Sequence, residues 1–240
     1  MDCGISFRFY VNRYMLRMIV RHESTTSEES VVGLKFLYRP GADPTSPLVV
    51  LVHGRAGNRG VMWTFERAIP EGCHVVSFEA FLSDPLGGWS WWDMTVAGSK
   101  QEAIVFASNK LQSSLNSLLG LYGLEPTILV GLGFSQGSVL LSAVTFLGLV
   151  EFDAIAVLAG FVYLPSESTS LNKIPEVFVA HGSLDETIPV SKAQSGVEAL
   201  RALGVRVEYV EEAVGHKVGV QGTRALKQWL QSTILPPSRP

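Results

Sequence analysis

Ser135 is the residue around which the chemistry of this chain can be organised. It stands in Gly133-Phe134-Ser135-Gln136-Gly137, behind the apolar run 127–130 and ahead of the helical-looking segment 138–144. A strand, then Gly-x-Ser-x-Gly, then a helix puts the serine on a sharp turn with its hydroxyl clear of the sheet. Gly133 and Gly137 have no Cβ, so strand and helix can approach closely on either side. The start of the helix offers backbone N–H groups to a developing negative charge. The chemistry such a turn serves is nucleophilic attack by an alcohol.

The plain alternative is a turn serine that caps a helix, and in a chain with 23 glycines the motif alone does not separate the two. A hydroxyl becomes nucleophilic only when an imidazole takes its proton, and that imidazole needs a carboxylate to fix its tautomer. In hydrolases built this way the partners follow in the order Ser, Asp or Glu, then His. Downstream, the strand-like run 176–180 ends in His181-Gly182-Ser183-Leu184-Asp185, and the run 206–210 is followed by Gly215-His216. Both loops lie beyond strand ends, and in a parallel sheet all such ends share one edge, where ligands bind. Asp185 and His216 are therefore the expected acid and base. Glu151 and Asp153 precede their strand and belong to the opposite edge. Of the five histidines, His22 reads as solvated and His74 as a strand-entry residue. His53 and His181 end apolar strands and read as supports that hydrogen-bond backbone near the same edge.

With these residues in place, the chain resembles the phospholipase/carboxylesterase family that includes the acyl-protein thioesterases, within the α/β-hydrolases. The resemblance spans about residues 34–230. It rests on His53-Gly54-Arg55-Ala56-Gly57-Asn58, Gly87-Gly88-Trp89-Ser90-Trp91-Trp92-Asp93, Gly133-Phe134-Ser135-Gln136-Gly137, His181-Gly182-Ser183-Leu184-Asp185 with Ile188-Pro189-Val190, and Gly215-His216. It implies Ser135 as nucleophile, Asp185 as orienting acid and His216 as general base. It also implies an oxyanion hole from the backbone N–H groups of Gln136 and of Arg55, the residue after His-Gly. The segment 77–81 departs from the family, which often carries a Pro-rich substrate loop there; Glu79 is unusual at that place. The first thirty residues have no assigned counterpart.

Phe81, Leu82, Leu86, Trp89, Trp91 and Trp92 surround Gly87 and Gly88, a stretch too glycine-rich for a regular core helix. Phe81, Leu82, Trp89, Trp91 and Trp92 are read as an apolar wall for the acyl chain or an aryl group. For Trp91 and Trp92 the alternative is that they plug the sheet edge. No large lid is expected between residues 154 and 176, and 166–170 is expected to be an exposed loop.

The elements that must position these side chains are legible as well. Strand-like runs occur at 34–38, 48–52, 74–78, 127–130, 154–158, 176–180 and 206–210, with helical patterns at 62–68, 100–119, 136–147, 190–203 and 223–233. Strands alternating with helices argue an α/β fold with a mostly parallel sheet covered on both faces. At 240 residues and 47% apolar, a single domain is expected, with 1–30 as an N-terminal extension or leading strands and 235–240 as a flexible tail. A net charge of -3 gives no basic face for nucleic acid. No apolar run is long enough to span a membrane, and arginines interrupt any secretory h-region at the start. A transit peptide is the less favoured reading of residues 1–30. Two cysteines, Cys3 and Cys73, form neither a metal spacing nor a disulfide framework, which suits a reduced, cytoplasmic setting. The expected activity is serine carboxylesterase chemistry on a small-molecule ester, without metal or cofactor. An acyl thioesterase or lysophospholipase, a peptidase or lipase, a non-catalytic binding protein of the same fold and a homodimeric assembly stay open.

Overall fold

Leu48–Val52 is a run of five apolar residues, and every one is fully buried. Such a run marks a strand covered on both faces rather than one with a wet side. In the computed structural model, which describes residues 22–23, 33–94, 100–165 and 171–235, it lies at the centre of the molecule. The expected exposed loop 166–170, the tail 236–240 and all of 1–30 except 22–23 lie outside the described residues.

Among the described residues the strands follow in chain order: β1 (His22–Glu23), β2 (Phe36–Arg39), β3 (Leu48–Val52), β4 (His74–Phe78), β5 (Leu82–Ser83), β6 (Trp89–Ser90), β7 (Leu129–Phe134), β8 (Ala154–Leu158), β9 (Glu176–Gly182) and β10 (Val207–Glu212). Eight of them form one sheet in the order β1-β2-β4-β3-β7-β8-β9-β10, and β5 and β6 pair as a small antiparallel hairpin. β1 and β2 are antiparallel additions at one edge; from β4 to β10 every pairing is parallel. The carboxyl ends of those six strands therefore share one rim. β3 lies between β4 and β7, so chain order reverses there, the place where open α/β sheets bind ligands.

The helices are α1 (Lys100–Tyr122), α2 (Gln136–Phe146), α3 (Val190–Ala202) and α4 (Val220–Ile234), with a 3₁₀ helix at Val61–Ala68. Alternation along β3 sorts the core into two layers. Leu48, Val50 and Val52 join the cluster that holds Leu111 and Leu115 of α1, Val139 and Leu140 of α2 and Val197 of α3. Val49 and Leu51 join the cluster of Met62, Phe65, Leu226 and Trp229, under the 3₁₀ helix and α4. Each fully buried Leu or Phe contributes about 1.5–3 kcal/mol relative to an exposed one. The sheet is thus covered on both faces. At 61–68 the helix is 3₁₀: Met62, Phe65 and Ala68, spaced by three, are its buried residues, which suits three residues per turn better than 3.6. All eleven residues of α2 are buried, so this helix has no wet side.

Candidate active site

Ser135 joins β7 to α2 with φ 52 and ψ -116, a conformation that costs a non-glycine residue on the order of 1–3 kcal/mol. The surroundings over-determine it. The Ser135 N–H donates to Leu158 O at 2.9 Å, tying the turn to β8. A Cβ on Gly137 would lie 2.2 Å from Val52 O, and one on Gly133 would lie 2.5 Å from Gly137 O. Only glycine allows α2 to start this close to β3. Ser138, in the first turn of the helix, reaches back: its Oγ–H donates to Gly133 O at 2.7 Å and its Oγ accepts the Leu158 N–H at 2.9 Å.

Ser135 Oγ is 2.9 Å from His216 Nε2, and His216 Nδ1 is 2.7 Å from Asp185 Oδ2. A carboxylate accepts, so Nδ1 carries the proton and Nε2 is left free to accept from the serine hydroxyl. The three residues come from loops after β7, β9 and β10 and form one hydrogen-bonded line, although 81 positions separate His216 from Ser135. Asp185 Oδ1 accepts the N–H groups of Thr187 and Ile188, each at 2.9 Å. Burial pushes the Asp185 carboxyl up, but those N–H groups and His216 outweigh it, and the group ends below the ordinary 3.8. Gly182 lets the loops meet, since a Cβ there would lie 2.2 Å from Val214 O. Ser135 is only 9% exposed, and the ring of Phe134 lies 5.3 Å from the imidazole, centroid to centroid.

Gln136 opens α2, and the first N–H groups of a helix have no carbonyl partner within it. Arg55 follows β3 on the neighbouring loop. One strap connects the two residues. Its Asp84 carboxylate accepts Arg55 Nε–H at 2.8 Å, Ser90 Oγ–H at 2.7 Å and Leu86 N–H at 2.9 Å. Ser90 Oγ in turn accepts the N–H of Ala56, whose φ is 57. Trp89 N–H donates to Gly57 O at 2.8 Å. Two residues on, Trp91 N–H donates to Gln136 Oε1 at 2.9 Å, and Gln136 Nε2 donates to Trp92 O at 3.0 Å. The Arg55 guanidinium, with the N–H of Leu86 and the hydroxyl of Ser90, holds the Asp84 carboxyl down at about 2. Asp84 belongs to no motif of the sequence; the turn dipeptides Asp84-Pro85 and Gly87-Gly88 are its signal there, and both glycines adopt positive φ.

The aromatic segment divides. Trp91 is fully buried and Trp92 is 5% exposed, both within the core, with Trp91 Nε1 donating to His53 O at 2.8 Å. The apolar wall expected of Phe81, Leu82, Trp89, Trp91 and Trp92 therefore does not include those two: they plug the core. Phe81 and Trp89 line a 190 Å³ cavity with Lys35 and Glu79, and Leu82 is 38% exposed. Glu79 is buried against Arg59, Oε1 to Nη1 2.9 Å. His53 accepts the Ala80 N–H through Nε2 at 3.0 Å and donates from Nδ1 to Gly54 O at 2.6 Å; burial holds it neutral, down at about 4. His181 donates from Nε2 to Ile188 O at 2.9 Å, behind the Asp185 loop. His74 stands at the far end of β4, against Tyr38 and Asp43. Among the described residues no cluster of three or more His, Cys, Asp or Glu side chains is placed to hold a metal ion, and no helix is long and apolar enough to cross a membrane.

Comparison with known proteins agrees with this architecture. The crystal structure of the Bacillus cereus carboxylesterase superposes with a TM-score of 0.77 over 86% of this chain and 98% of its own, at 17% identity. A carboxylesterase from Mesorhizobium loti gives 0.73 over 88% and 98%, at 18% identity. A variant of Arabidopsis thaliana SOBER1 gives 0.66 over 79% and 100%, at 17% identity. At these identities the likeness is one of fold. The sequence model of the phospholipase/carboxylesterase family matches residues 38–234. The chain belongs to the phospholipase/carboxylesterase family and has the α/β-hydrolase fold.

Proposed function

We propose that this protein is a serine hydrolase of short- to medium-chain carboxylic esters. The observation that carries the reading is the unbroken line from Ser135 Oγ through His216 to Asp185, at 2.9 and 2.7 Å. Ser135 Oγ attacks the ester carbonyl carbon as His216 Nε2 takes its proton. The N–H groups of Gln136 and Arg55 hold the resulting oxyanion, a contribution of a few kcal/mol when donors are aimed in advance. His216 gives the proton to the departing alkoxide, leaving the acyl group on Ser135. Water then attacks, His216 takes its proton, and the acid leaves as the serine hydroxyl is restored. Asp185, held by the Thr187 and Ile188 N–H groups, keeps the imidazole in the required tautomer and stabilises the imidazolium. The same sequence of steps serves thioesters, with sulfur as the leaving atom.

The test pairs a fluorophosphonate probe with p-nitrophenyl and thioester acyl chains of graded length. The wild type is expected to be labelled at Ser135 and to turn over, and Ser135→Ala to lose both, with turnover falling by about 10³-fold or more. Turnover that survives in Ser135→Ala, or ligand binding without any turnover in the wild type, would sink the reading.

A further inference from the structure

The 3₁₀ helix, the 212–220 loop and the start of α4 enclose a trough that the reaction above does not use. Two cavities of 320 and 630 Å³ share Thr64, Phe65, Lys217, Val218 and Thr223, so they are two reaches of one trough. Both volumes fall in the usual range for small-molecule sites. The inner reach is lined by Phe134, which packs on the His216 imidazole, and by Lys217, the next residue in the chain. The trough therefore begins beside the proposed base.

Its outer reach has an apolar floor that includes Phe65, Val214 and Val218, and its rim carries Arg67, Arg224 and Lys227. With Lys217 that makes four exposed cations, and among the described residues none of them is in an ion pair. By contrast Arg39, Arg55, Arg59, Lys173 and Arg206 each hold a carboxylate. The acid in the trough wall is Glu212, and its Oε2 is engaged by the N–H groups of Gln221 and Gly222 at 3.2 and 3.3 Å. An apolar floor under uncompensated cations complements a ligand with an apolar stem and an anionic end.

We propose that the trough receives the alcohol half of the ester, and that this half carries a carboxylate or phosphate at the end of an apolar stem. The inference rests on the reading of His216 as the base. His216 Nε2 must return its proton to the leaving oxygen, so the alcohol half departs on the side of the imidazole, where the trough starts. The four cations then select among alcohols without touching the reacting atoms.

The experiment compares kcat/KM for the butyrate ester of 4-(hydroxymethyl)benzoate with that of its neutral isostere, 4-(hydroxymethyl)benzamide. A second arm compares the butyrate esters of glycerol 3-phosphate and glycerol. Exposed ion contacts each change an equilibrium by about two- to fivefold, so four cations support roughly a tenfold preference for the anionic ester. That preference should shrink as salt rises from about 0.01 to about 1 M. It should disappear in R224E/K227E and persist in Arg201→Glu, a charge change at the far end of α3. A preference in one arm alone identifies the anion. Equal rates for both members of each pair overturn the inference, as does a preference that survives R224E/K227E. So does a preference for an anion on the acid half, read from methyl succinate against methyl succinamate. Calorimetric binding of 4-(hydroxymethyl)benzoate itself, expected in the wild type and weakened in R224E/K227E, reads the trough even if no ester turns over. Failure of the trough is thereby distinguished from failure of the hydrolase reading.

Discussion

The backbone N–H of Trp91 donates to the side-chain oxygen of Gln136 at 2.9 Å, and the Gln136 amide returns a bond to the next carbonyl, Trp92 O, at 3.0 Å. This two-point clasp joins the residue after the elbow serine to the same strap that grips Arg55 through Asp84. Gln136 therefore has a structural task for its side chain beside the task proposed for its backbone.

Gln136→Ala keeps the N–H but leaves two buried backbone groups without partners, at about 1–3 kcal/mol each. We expect a lower urea midpoint and a kcat reduced by about ten- to a hundredfold, with KM little changed. An unchanged kcat would show that the clasp does not position the N–H.

Asp84→Asn removes the charge that holds Arg55. The folded carboxyl sits at about 2 against an ordinary 3.8, so in acid the unfolded chain binds the proton first. Its stabilisation is therefore present above about pH 3.8 and is lost as pH falls through about 2. Urea midpoints measured across this window should fall less steeply in Asp84→Asn than in the wild type, and kcat near neutrality should drop.

His53 makes a separate pH prediction. Burial lowers its folded value to about 4 from 6.5, so between these values the unfolded state binds more protons and stability falls as pH falls. The full shift corresponds to about 3 kcal/mol. His74, lowered by burial as well, adds in the same direction. His53→Gln should flatten the stability profile between about pH 6.5 and 4; a profile as steep as the wild type's would mean that His53 does not titrate as described.

The sequence groups Trp91 and Leu82 in one wall, and the structure separates them. Trp91→Ala empties a fully buried site and should cost about 3–5 kcal/mol in chemical unfolding. Leu82→Ala, at a position 38% exposed, should stay within about 0.5 kcal/mol of the wild type.

The parts of the fold that were legible in the sequence are those with a physical signature confined to one segment. β3 and β8 occur at the bounds expected from their apolar runs, because strands buried on both faces carry no polar positions to blur them; β4 does so too, although His74 and Ser77 interrupt its run. Ser135, Asp185 and His216 could be picked out because loops after parallel strands converge on one rim. The strap was not legible: β5 and β6 have two residues each, too few to show a period, and its holds run through the side chains of Asp84 and Gln136, which meet partners far away in sequence. Nor does composition say which way an indole faces. Trp91 turns inward, its ring N–H on His53 O, where an open wall was expected. The trough is assembled from three stretches of chain far apart in sequence, none unusual by itself.

The strap has a consequence for how this scaffold can diverge. One short ribbon ties together the two residues proposed to hold the reacting oxygen, so a change at Asp84 or in the Gln136 clasp acts as a common gain control, raising or lowering turnover for all acyl groups together. Shifts in which ester is preferred have to be written elsewhere, in side chains that make neither hold, such as those of Leu82 and Trp89, or in the trough.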